Sequence, residues 1–247
     1  METPRGPRAA RFRLGTDNLG RDLYTRLVYG TRVSLAVGVL AMLTAVGIGA
    51  VIGLLAGYFR GALETVLMRL TDMMLTIPTL VLAIAFAVVM PKGMVQVGRW
   101  EVPRELINLF LVIGLVNWTG IARIVRSEAL RVSSLEYIEA ARALGCGHGR
   151  ILVRHVLPNV LPTIVVLASL ATANTILLDA GLSYLGIGTP PPIPSWGAMI
   201  NDGQPYLVTA RWMILGPGLC VVLAVLGFNL MGQGLQNALD PHGEERG

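Results

Sequence analysis

Residues 33–59 carry no charge at all. That run constrains the fold more than any other feature of the chain. A helix rises 1.5 Å per residue, and a bilayer core of about 30 Å takes about 20 residues to cross. The run is long enough to span with tilt. It also holds Gly38, Gly47, Gly49, Gly53 and Gly57. Such glycines weaken a helix in water, but in lipid they let neighbouring helices approach closely. Ahead of it, residues 15–22 read as turns that lead into a short helix over 23–29. Further apolar runs cover 106–122, 161–178 and 212–231. A shorter one, from Pro78 to Met90, borrows turns from the segment before it. In that segment, 61–77, Leu63, Val66, Leu70, Met73 and Ile77 fall on one helical face, with Glu64, Arg69 and Asp72 off it. Five spans, and so an all-α membrane protein, are expected.

Charge supports this assignment. Only 14% of residues are charged, against about 25% in a soluble chain. The net charge of +5 is almost wholly arginine, with a single lysine at Lys92. The arginines cluster between apolar runs, which suits loops beside membrane helices rather than a nucleic-acid surface. They divide almost evenly between the two sides of a five-span chain, so charge alone leaves the orientation open. Asn108 and Asn117, inside the third span, read as polar contacts to another helix. Residues 180–206 carry Pro190, Pro191, Pro192 and Pro194, too many for a spanning helix.

One polar stretch interrupts the apolar body, residues 133–162. Ser133 and Glu136 have capping-box spacing for a short helix to Leu144, and Gly145 is suited to end it. A second short helix is expected over 150–157, ended by Pro158. The two form an elbow on one side of the membrane. Catalysis finds no support here. His148 and His155 lack the HExxH spacing, no phosphate loop is present, and residues 181–186 miss the nucleophile-elbow spacing. Cys146 and Cys220 suggest neither a disulfide framework nor a metal site. No cofactor is expected, and any ATP hydrolysis must come from another chain.

Glu139-Ala140-Ala141, three residues, Gly145, then a spacer to Leu157-Pro158 resembles the EAA signature of ABC importer permeases. His155-x-Leu157-Pro158-Asn159 is similar to the peptide and nickel branch of that family. Further motifs agree in order. They include Gly15-Thr16-Asp17 with Gly20-Arg21-Asp22, Tyr29 to Leu35, Gly57 to Gly61, and Asp72 with Ile77-Pro78. Leu182 to Gly186, Pro191-Pro192 with Ser195-Trp196-Gly197, and Leu239-Asp240-Pro241 complete the series. The resemblance covers about residues 14–241 and points to the second-permease subunit of dipeptide and oligopeptide importers.

The resemblance implies a type I importer transmembrane domain in a bacterial or archaeal cell membrane. Its elbow is the cytoplasmic coupling loop, within 123–160, docked on an ATPase subunit through Glu139, Ala140, Ala141, Gly145, His155, Leu157 and Pro158. Residues 1–32 would then lie outside, 33–231 form the permease domain, and 232–247 form a cytoplasmic tail. The implied partners are a second permease subunit, two ATP-binding subunits, an extracytoplasmic substrate-binding protein and the lipid bilayer. The family usually has six spans. Its first helix, ahead of residue 15, is expected to be missing here, as after an internal start or a truncation. Nickel import is the near alternative. A secondary transporter or channel would need charges within the spans, and the expected spans hold almost none.

Overall fold

Glycine and alanine decide how the bundle closes. The computed structural model describes residues 12–239, and in it α1 runs Leu23–Phe59 without a break. The short helix expected over 23–29 is therefore the beginning of α1. Asp22 caps the whole helix by accepting the Thr25 N–H at 3.1 Å, and no proline or cap follows to stop it. Ala41, Ala45, Gly49, Gly53 and Gly57 recur every fourth residue along α1, and all are buried. They face α4, Arg104–Ser133. A Cβ on Gly49, Gly53 or Gly57 would lie 2.7, 2.6 or 2.5 Å from the carbonyl oxygen of Trp118, Ala122 or Arg126. No side chain fits, so the two helices meet backbone to backbone.

These pairs advance together along both helices, so α1 and α4 run parallel. Parallel neighbours need a return path between them. It is supplied by α2 (Gly61–Leu75) and α3 (Thr79–Val89), a pair bent by 88°. Pro78 sits at the bend and disfavours helical geometry at Ile77. Four helices are long and apolar enough to cross a membrane alone, and the bent pair makes a fifth where it is counted as one span.

The connector after α3 is not irregular throughout. Strands β1 (Met94–Val97) and β2 (Trp100–Pro103) pair antiparallel. Gly98, at φ +63°, opens their two-residue turn, as such hairpins require. Asn108 donates to the Pro91 carbonyl at 2.8 Å and so ties down this connector. Asn117 donates to Ile113 one turn back in its own helix. Neither joins two spanning helices, contrary to expectation; each found a backbone acceptor closer than a neighbouring helix.

Beyond α4, a short helix α5 (Glu136–Ala143) leads to α6 (His148–Ile151). From α6, a π-helical turn (Leu152–Val156) continues into α7 (Leu157–Tyr184) as one rod. This rod runs antiparallel to α1. Thr175 Oγ1 donates to the Gly38 carbonyl at 2.8 Å, whereas His148 meets Tyr58 near the end of α1. The last helix, α9 (Trp212–Leu239), returns along α7, where Ser169 Oγ donates to the Phe228 carbonyl at 2.9 Å. The proline-rich stretch does not span. It folds over one end of the bundle with α8 (Trp196–Gly203). There the Trp196 N–H donates to Ser34 Oγ at 3.1 Å. The bundle thus has an elbow end and, opposite it, a capped end. Asp240 and Pro241 lie outside the described residues, as do 1–11 and the rest of 242–247.

Candidate coupling elbow

The elbow has an inward and an outward face. Ile138 is fully buried, and Ala141 and Cys146 pack beside it against Val132, Ile151 and Val156. Glu139, Ala140, Ala143, Leu144 and Gly145 are exposed on the other side. The turn between them is fixed by hydrogen bonds. Gly145 N–H donates to Arg142 O at 2.9 Å and Cys146 N–H to Ala141 O at 3.1 Å, while Gly145 takes φ +79°. This is the Schellman ending, and it favours glycine at that position.

The expected capping box does not form. Ser133 is the last residue of α4, is 1% exposed, and its hydroxyl makes no hydrogen bond among the described residues. Leu135 occupies the N-cap of α5, without a side-chain cap. The long helix claimed Ser133 first, because nothing before it breaks α4.

Pro158 does not end a helix either. It has no N–H, and its ring would strike the carbonyl four residues back in a regular helix. The π turn adds a residue at this place: Leu157 N–H bonds Leu152 O across it. Wider spacing relieves the clash, and the helix runs on through Pro158 and Pro162. Asn159 Nδ2 donates to the His155 carbonyl at 2.7 Å within the same segment. The His155-x-Leu157-Pro158-Asn159 motif is thus a device for a proline in a continuous rod.

Aromatic residues wire the elbow to α1. Tyr58 Oη lies 3.0 Å from His148 Nδ1, and the Arg142 guanidinium stands over the Tyr58 ring at 5.3 Å. Tyr137 of α5 packs near His155, with ring centroids 6.4 Å apart. Of the predicted site residues, Glu139, Ala140 and Gly145 share the outward face. Ala141 and Leu157 turn inward and pack against the core. His155 is half-buried, and Pro158 is exposed on the adjoining rod.

Leu144 was not among the predicted residues. It is 84% exposed at the tip of the elbow, next to Gly145. Its signal in the sequence was position: the residue before a left-handed glycine is carried outward by the turn. Arg123 and Arg126 were also missed as partners, because α4 continues to Ser133 instead of ending near Ala122. They pair with Asp72 and Glu64 of α2. A groove of about 450 Å³ lined by these four residues and Arg69 separates α2 from α4. Charge is therefore present along the crossing segments, and between α2 and α4 two carboxylates are paired with arginines.

The elbow's histidines serve its packing. Its histidines hold a tyrosine hydroxyl and an aromatic ring, and among the described residues no three of His, Cys, Asp and Glu group as metal ligands do. What it offers is a small convex knob on a rigid stem. A helical bundle with up to five crossings defines a membrane-spanning protein, and the knob stands at one end of it.

The family model for binding-protein-dependent transport system inner membrane components matches residues 49–243. The chain belongs to that family, and its place is the membrane. It is 40% identical to the glutathione transport system permease protein GsiD of Pectobacterium atrosepticum, over 96% of this chain and 74% of the relative. It is also 40% identical to the dipeptide transport system permease protein DppC of Alkalihalophilus pseudofirmus, over 96% of this chain and 73% of that one. With the oligopeptide transport system permease protein OppC of Bacillus subtilis the identity is 36%, over 92% and 70%. Among solved structures, an inward-facing MetNI methionine ABC transporter matches 87% of this chain and 96% of its own, with TM-score 0.68 and 18% identity. The fold is that of an ABC importer membrane domain.

Proposed function

We propose that this chain forms half of the translocation path of an ATP-driven importer for short peptides and is moved through its elbow by an ATPase subunit. The elbow carries the proposal. Its inner face is locked into the core by Ile138, its outer face presents Glu139, Ala140, Leu144 and Gly145, and Tyr58 with Arg142 ties it to α1. A push on the knob would reach α1, and through the backbone contact at Gly49, Gly53 and Gly57 it would reach α4. Closure of the ATPase subunits on ATP then shifts the spans between inward and outward access.

This reading makes the elbow cytoplasmic. Five crossings then put residues 1–32 outside and 232–247 inside, with 33–231 as the permease domain. A second permease subunit completes the path, two ATP-binding subunits drive it, and an extracytoplasmic binding protein delivers cargo. Short peptides are favoured because the similar proteins are named for glutathione, dipeptides and oligopeptides. The test is uptake of a labelled dipeptide into proteoliposomes that hold the full complex. Uptake should require ATP and the ATPase subunits. Uptake that persists without the ATPase subunits would overturn the reading.

A further inference from the structure

Toward the capped end, the contact between α1 and α9 opens into a groove. Its floor is tight. A Cβ on Gly216 of α9 would lie 3.2 Å from Leu27 Cδ1 of α1, and Leu23 and Leu27 are buried. Its rims stand apart. Leu14, Tyr24 and Val28 line one side and Leu215 and Leu219 the other, all at least 45% exposed. The space between them is about 700 Å³. Past Cys220, a second apolar recess of about 500 Å³ continues along α9 toward Met231.

Position and chemistry both constrain what lies in this groove. Its walls are two membrane-crossing helices, and its exposed rims are part of the outer surface of the bundle. Charge is confined to one end. Arg211 is the one charged residue lining the groove, is itself exposed, and forms no ion pair among the described residues. Beside it, Trp212 is 49% exposed, and Tyr24 on the α1 side is 47% exposed. Tryptophan and tyrosine with one apolar and one wet side are typical of the lipid headgroup level. The Trp212 indole N–H donates to the Thr16 carbonyl at 3.4 Å and fixes the 15–22 turn beside this mouth. From Arg211 to Cys220 the helix rises about 14 Å, close to half of a hydrocarbon core of about 30 Å. The groove thus has the depth of one leaflet. Its rims also differ from a helix seat. Spans approach closely through small residues, as α1 and α4 do at Gly49, Gly53 and Gly57. Here leucine, valine and tyrosine side chains protrude on both sides, which suits a thin, flexible chain between them.

We propose that this groove is a binding site for an anionic phospholipid of the capped-end leaflet, with one acyl chain between α1 and α9 and the phosphate on Arg211. A guanidinium matches a phosphate through paired, charge-assisted hydrogen bonds, and no carboxylate lines the groove to compete for it. The proposal needs only the membrane location of the chain. It does not depend on the cargo or on ATP, so it and the importer reading fail separately.

The test uses the complete complex in nanodiscs of equal phosphatidylglycerol and phosphatidylethanolamine. A photo-reactive benzoylphenylalanine placed at Leu215 should label phosphatidylglycerol well beyond its half share. The same group at Leu226, an exposed α9 residue outside the groove, should label the two lipids equally. Arg211→Gln should abolish the preference at Leu215. It should also weaken phosphatidylglycerol binding, read by native mass spectrometry, about tenfold, the scale of one hydrogen bond to a charged group. Arg211→Lys keeps the charge and should retain most of the binding. Unchanged lipid affinity in Arg211→Gln overturns the site, and so does labelling at Leu215 that matches Leu226. Labelling of a polypeptide at Leu215, whether the second permease subunit or another segment of this chain, overturns it as well, because the groove is then a protein interface.

Discussion

The two ends of the bundle are built on opposite plans. At the elbow end, apolar residues are buried underneath and a convex tip stands out, with Leu144 almost wholly exposed. At the capped end, exposed residues form the rim of a cavity, and polar side-chain atoms are buried in its wall. One end is convex and the other concave. Both are fixed to α1, since Tyr58 and Leu27 lie on that one helix and contact His148 and Trp196. The difference teaches that a single rigid helix can anchor two unlike surfaces at its two ends.

The strongest way to break this contrast is to part α1 from α4. Gly53→Leu places a side chain where even a Cβ would lie 2.6 Å from the Ala122 carbonyl. We expect a loss of at least about 3 kcal/mol, as in severe overpacking, seen as loss of folded protein in detergent. Both ends should fail together. Gly47→Ala, where a Cβ meets nothing within 4 Å, is the matched control and should fold.

The next substitutions separate the ends. Gly145→Asp forces a residue into φ +79°, at a cost of about 1–2 kcal/mol, and adds a charge to the tip. Co-purification of the ATPase subunit should fall by at least about tenfold. Leu144→Ser removes an apolar side chain worth about 1.5–3 kcal/mol if a partner buries it. The same pull-down should weaken while the melting temperature holds, because Leu144 packs against little within the chain. A matching drop in melting temperature would mean that the tip is structural. Tyr58→Phe deletes one hydroxyl bonded to His148 and should lower stability by about 1 kcal/mol, measured as a small shift in midpoint.

The smallest effect concerns pH at the capped end. Burial alone would raise the Asp17 pKa. Hydrogen bonds from the backbone and guanidinium of Arg21, and from the Leu19 N–H, outweigh it and hold the carboxyl below its ordinary value of 3.8. Its stabilising contribution is therefore complete above that value and is lost as pH falls through the depressed native value. Asp17→Asn should remove this acid-side loss from the unfolding profile of the 15–22 turn, followed by hydrogen exchange.

Much of the body was legible because its signals are local. Charge-free runs gave the spans, the glycines gave close packing, and Gly145 gave the turn. Misleading signals came from residues that serve two elements. Ser133 has the spacing of a cap but belongs to the helix before it. Pro158 looks like a stop, yet a π turn absorbs it. Arg123 and Arg126 read as loop residues because only α2, folded back beside them, makes their partners visible. The cavity at the capped end was not legible at all. Its lining comes from residues 18–26, 183–193 and 198–202, and only the folded chain brings those together.

The parallel course of α1 and α4 also bears on how the chain is made. Neighbours in a simple up-and-down bundle can pair as they emerge, one hairpin after another. Here the small-residue stripe of α1 has no partner in the next segment to be synthesised. Gly57 meets Ala129 and Leu130, so α1 must wait in the lipid through the insertion of α2 and α3. The order of synthesis thus leaves its tightest helix contact until α4 has been made.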